Sequence, residues 1–149
     1  MLEASVRKVR IMPDEFMRLV YTSIHSGMNN DELQKLSLEA RELGVGYGIS
    51  GLLVVCDDDF FAILEGSPIA VTTVLINAVR DQRHHSLNVL LAETTSTRFF
   101  HSSNVIELKE LARSEKPLAR KVKIAELNPR LVKEEQLEDT IMALAEAVQ

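Results

Sequence analysis

Two apolar runs, Leu52 to Cys56 and Phe60 to Leu64, are separated by the acidic triplet Asp57, Asp58 and Asp59. Branched and aromatic residues on either side of a charged turn predict an antiparallel hairpin. The first run is apolar on both faces, which places the hairpin at the centre of a sheet covered on both sides. A small-residue turn, Gly48-Ile49-Ser50-Gly51, leads into it, and Glu65-Gly66 ends it. Upstream, Phe16 to Ser23 alternates as a strand, with Leu19, Tyr21 and Ser23 on one face and Met17 and Val20 flanking the core on opposite faces. Leu33, Leu36, Ala40 and Leu43 recur at helical spacing after Asn29, which forms a capping-box pattern with Glu32. Gly44 is placed to end that helix in a left-handed cap.

Beyond the hairpin, Ser67-Pro68 reads as a cap followed by a first-turn proline. Val71, Val74, Leu75 and Ala78 form the inner stripe of a second helix ending near Asp81. Leu87 to Thr95 follows as a strand, and Arg98 to Leu108 holds an edge strand. Together these predict an α+β, ferredoxin-like βαββαββ sheet with both helices on one face. Phe61 and Ile63 then point to the opposite face. Two segments split by Pro129 are candidates to cover it, a charged stretch around Leu111 to Val122 and an amphipathic helix, Lys133 to Val148. Leu137, Ile141, Leu144 and Val148 line one side of that helix. The predicted organisation is an N-terminal extension over 1–15, broken by Pro13 and Asp14, a domain over 16–108, and a C-terminal helical cap over 109–149.

Composition narrows the classes. With 149 residues, 46% hydrophobic and 26% charged, the chain suits one globular domain with appended elements. No apolar stretch is long enough to span a bilayer, and the first residues lack a signal-peptide core. The acidic face of the last helix, Glu134, Glu135, Glu138, Asp139 and Glu146, opposes an anionic membrane surface. A net charge of −5 with no basic stripe argues against nucleic acid. A single cysteine, Cys56, points to a reducing compartment and to packing rather than nucleophilic chemistry. The cytoplasm is the expected location.

Candidate chemistry is sparse. His84 and His85 lack a third ligand at regular spacing and read as a solvated turn rather than a metal site. The triple aspartate lacks the spacing of a calcium loop and reads as a charged turn. No hydrolase triad, phosphate-cradling glycine loop or zinc spacing is present, so no catalytic or metal site is expected.

Five segments in order carry a family likeness: LVYTS at 19–23, GISGLL at 48–53, FFAILEG at 60–66, DQRH at 81–84 and RFF at 98–100. Over roughly Phe16 to Val105 the chain resembles the BLUF family, flavin-binding blue-light sensor domains of bacteria. The resemblance implies an isoalloxazine ring between the two helices. It places a tyrosine at Tyr21, a serine at Ser23, and cofactor-flanking residues at Asp81, Arg83 and His84, all present. It also implies an asparagine where this chain has Gly44 and a glutamine where it has Ala62. The last-strand tryptophan and methionine positions hold Ser103 and Val105.

Those replacements set an expectation about function. Losing two to three hydrogen bonds at ~1 kcal/mol each weakens flavin binding by roughly 30- to 150-fold. The family's photochemistry needs an amide that links the tyrosine to the ring and rearranges, and Ala62 has none. The resemblance implies FAD, but the expectation here is no bound cofactor. The leading expectation is a degenerate BLUF-like regulatory domain acting through a protein partner at the last strand near Asn104 and the helix Lys133 to Val148. A homo-oligomer is left open. The alternative is an FAD-binding photoreceptor with a variant hydrogen-bond network. A phosphoesterase on this scaffold rests only on Arg83 and the histidines.

Overall fold

A computed structural model describes residues 15–149; the expected extension over 1–15, including the break at Pro13 and Asp14, lies outside them except for Glu15. The strands are β1 (Phe16–His25), β2 (Ser50–Cys56), β3 (Asp59–Gly66), β4 (His84–Thr95) and β5 (Ser103–Glu107). Helices α1 (Asn30–Tyr47) and α2 (Pro68–Arg80) separate them as βαββαββ, followed by α3 (Leu108–Leu111), α4 (Pro117–Lys121), a 3-10 turn (Ile124–Glu126) and α5 (Glu134–Ala147). The sheet order is β4-β1-β3-β2-β5. Neighbours pair antiparallel except β2 and β5, which are parallel. The predicted hairpin is β2–β3, and β3 is the central strand.

Local chemistry explains the boundaries. Asn29 Oδ1 accepts from the Glu32 N–H at 2.9 Å, and the Glu32 side chain reaches back to Asn29, completing the capping box. The helix does not stop at Gly44 as the sequence suggested. It continues to Tyr47, and Gly48, at φ 67°, supplies the left-handed cap and donates to the Gly44 carbonyl. Two glycines four apart satisfy the same pattern, and the later one has the required backbone. Gly51 is fixed by space as well as by its φ of 154°, since a Cβ there would sit 1.9 Å from the Ile63 carbonyl. Ser67 Oγ accepts from Ala70 N at 3.2 Å, with Pro68 opening α2.

Two further readings change. His84 and His85 open β4, three residues before the expected start at Leu87, and His84 is tied into the structure rather than lying on a solvated turn. Asp59 is not simply turn charge: it starts β3, is largely buried and receives two bonds of 3.0 Å from Arg130. Cys56 is the last residue of β2, and it is buried, in line with a packing role.

The sheet separates two cores. Val20, Val54, Phe61 and Ile63 face Leu137, Ile141 and Leu144 of α5, with Leu111, Ala119 and Ile124 completing the layer. Both predicted segments thus cover this face. On the other face, Leu19, Tyr21, Ile49 and Ala62 meet Ala70, Val71 and Val74 of α2. No residue of α1 is fully buried; that helix packs along β5 at the edge of the sheet, with Leu43 against the core. A polar bolt ties the β4–β5 connection to the sheet. Glu65, with no exposed surface, accepts from Arg18 Nη2 at 2.7 Å and Arg18 Nε at 2.9 Å. It also accepts from the backbone N–H of Phe100 at 2.8 Å and Phe99 at 3.0 Å.

Candidate functional site

With α1 over β5 and α2 over β1 and β3, a cavity of about 440 Å³ opens between the two helices. That volume suits a small ligand. Leu36, Ala40, Leu43 and Tyr47, at helical spacing on α1, form one wall, and Val74, Asn77 and Ala78 of α2 the other. Tyr21, Leu53, Ala62, Ser103 and Val105 contribute to the floor from four strands.

Tyr21 stands opposite Ala62 in the β1–β3 register. Its side chain is only 7% exposed, and among the described residues its hydroxyl has no hydrogen-bond partner. No fully buried polar side-chain atom is left unpaired, so this hydroxyl opens into the cavity. Burial, reinforced by the nearby Asp81 carboxylate, pushes its pKa up to about 12. The phenol therefore keeps its proton at neutral pH and remains a donor.

Arg83 bridges the two helices at the mouth. Its Nη2 lies 2.7 Å from Glu39 of α1 and 2.6 Å from Asp81 at the end of α2, and its Nε adds bonds of 3.0 Å to Asp81. The hydrogen bonds from Arg83 hold the Asp81 carboxyl below its usual range and, with Glu39, raise the guanidinium's own pKa. His84 and Ser23 are coupled away from the cavity. His84 Nε2 is 2.5 Å from the Ala78 carbonyl, which can only accept, so this nitrogen carries a proton. Nδ1 lies 2.6 Å from the Ser23 hydroxyl, which can either donate to it or accept from it.

Of the residues singled out from sequence, the structure brings Tyr21, Ala62, Asp81, Arg83, Ser103 and Val105 to one cavity. Ser23 and His84 brace the strand ends beside it, and Gly44 lies outside the lining. A Cβ at Gly44 would meet the Ile49 carbonyl at 3.2 Å and Ser103 Oγ at 3.5 Å. Ser103 already donates to that carbonyl at 2.9 Å, so its hydroxyl occupies the neighbouring space. Glu39, Glu42 and Tyr47 were missed. Their signal was the apolar stripe of α1 itself, which carries carboxylates on its flank.

The fold is an α+β sheet of ferredoxin-like order, with a ligand-sized cavity between two helices on one face and a helical cap on the other. The chain belongs to the BLUF family, "sensors of blue-light using FAD", whose model matches residues 16–105. Solved structures agree. BlsA in its photo-activated state shares 26% identity at a TM-score of 0.70, over 87% of this chain and 94% of that one. The dark-state structure of the BLUF protein BlrB, at 21% identity, supports the fold alone, with a TM-score of 0.72 over 91% of this chain and 99% of that one. A bacterial light-regulated adenylyl cyclase matches at 26% identity and a TM-score of 0.61, over 72% of this chain. The present chain spans only 31% of that cyclase's length. No curated protein matches. No helix among the described residues is long and apolar enough to cross a membrane.

The family's cofactor can be tested against the cavity. Beside Tyr21 the floor offers only the Ala62 methyl, and Gly44 offers no side chain. Two amides border the cavity, but neither is a cross-strand neighbour of Tyr21, which pairs with Ala62 and Val89. Asn77 is exposed on α2. Asn104 pairs in register with Leu52, whose side chain belongs to the opposite face, and its amide donates to Ser102 Oγ at 3.0 Å. These residues do not fit a flavin ring held and gated by carboxamides.

Proposed function

We propose that this BLUF-family domain has lost flavin photochemistry and regulates through protein contact. One observation carries the reading: the cross-strand neighbour of Tyr21 on β3 is Ala62, so the phenol has no amide through which to exchange hydrogen bonds with a ring. The retained scaffold supports a regulatory role. The apolar side of α5 is committed to the sheet, which leaves its acidic outer side and the free edge of β5 for a partner. A basic surface is the complement. Co-purification from the native host should recover a discrete partner, and migration as a lone chain under every condition would count against contact signalling.

The second reading, an FAD-binding photoreceptor with a variant network, is favoured by one feature, the unpartnered Tyr21 hydroxyl facing the cavity. The visible spectrum separates the two. Purified protein mixed with excess FAD should remain without a protein-bound flavin band after gel filtration. A bound band that shifts red under blue light would overturn the proposal and establish the alternative.

A further inference from the structure

We infer that the cavity between α1 and α2 takes a small amphiphile with an apolar body and a cationic head. The inference rests on the reading that FAD is not the occupant. The charged residues lining the cavity are Glu39, Glu42 and Asp81 against Arg83, three carboxylates to one guanidinium. Arg83 is already held by Glu39 and Asp81, so it is not available to an incoming anion. Glu42 makes no ion pair among the described residues, so its charge is uncompensated at the mouth. A polyanion such as a dinucleotide meets net repulsion there, whereas an ammonium group gains Glu42. Tyr47, half exposed and also lining the cavity, adds an aromatic face that attracts cations.

The inner end has a different demand. The walls are aliphatic, and the buried Tyr21 hydroxyl is the polar group without a partner. A ligand with a flat apolar body and one hydrogen-bonding atom at its far end satisfies it. Charge at the mouth and a lone phenol within thus select opposite ends of one molecule.

Tryptamine and indole-3-propionate are matched probes, sharing an indole and differing in the sign of the head group. The chain has no tryptophan, so indole emission reports the probe alone. Tryptamine should bind at least about tenfold more tightly at low ionic strength, an advantage that salt erodes. Glu42→Gln, on an exposed helical position, should shrink the ratio to about threefold or less with unchanged circular dichroism. Tyr21→Phe, which removes the phenol oxygen that accepts from the indole N–H, should weaken tryptamine several-fold without changing the sign preference. Equal or reversed preference, or no binding of either probe at millimolar concentration, overturns the inference. FAD is titrated in parallel. A bound, light-responsive flavin defeats the functional reading, whereas probe failure with no flavin bound defeats only the ligand class.

Discussion

Glu65 shows how a residue can be legible in identity yet silent in role. Its place in FFAILEG helped mark the family, but no sequence pattern indicates that Arg18, 47 positions earlier, pairs with it inside the core. Both side chains are almost fully removed from water. Glu65→Ala leaves the Arg18 cation buried without its strongest partner and frees the Phe99 and Phe100 amides. A loss of about 3–5 kcal/mol is expected by urea denaturation. Glu65→Gln, which keeps an acceptor, should lose less. Asp81 is a contrasting case, because it is partly exposed and acts through titration. Arg83 depresses its folded pKa relative to the unfolded ~3.9, so the pairing stabilises above that value and fades as pH falls through the folded one. Asp81→Asn should lower the denaturation midpoint modestly at pH 7, and the gap from the parent should close towards pH 3. A gap that widens on acidification would contradict the assignment.

At the scale of elements, periodicity located every strand and the long helices, because each buries one repeating face. Errors arose where two local signals competed. Gly44 and Gly48 both suit a helix end, and only the backbone reveals that Gly48 takes the left-handed turn. His84 and His85 look like polar loop residues, but pairing with His25 and Ile24 of β1 extends β4 through them. The amphipathic C-terminal helix was read correctly as a cover, since its stripe of Leu137, Ile141 and Leu144 matches the bare sheet face bearing Phe61 and Ile63. Its packing is testable. Ile141 is 1% exposed, and Ile141→Ala should cost about 2–4 kcal/mol through lost burial and the cavity left behind. A change at the neighbouring exposed Met142, such as Met142→Ala, should cost well under ~1 kcal/mol. Equal losses at the two positions would mean that α5 does not lie on the sheet as described.

For the whole molecule, fold and cofactor chemistry depend on different residues, so under the proposed function one can persist without the other. The sheet is held by Phe61, Ile63, Glu65 and the glycine turn, none of which needs a flavin. The gate would rest on positions 44 and 62, which the fold tolerates as glycine and alanine. Rebuilding them is therefore a strong test. Ala62 lines the cavity beside Tyr21, so Ala62→Gln can extend its amide into open volume. Gly44→Asn must push against the Ile49 carbonyl, 3.2 Å from the new Cβ, and against Ser103, so it should cost stability. Restoring two to three hydrogen bonds at ~1 kcal/mol each should raise FAD affinity roughly 30- to 150-fold in the double variant. The two changes should also separate. Gly44→Asn alone should tighten binding without a light response, because Tyr21 would still lack a partner that can rearrange. Only proteins carrying Ala62→Gln should show an absorption band that moves red under blue light. If Gly44→Asn alone gives that shift, the relay runs through a group other than position 62, and the proposed role of the alanine beside Tyr21 fails.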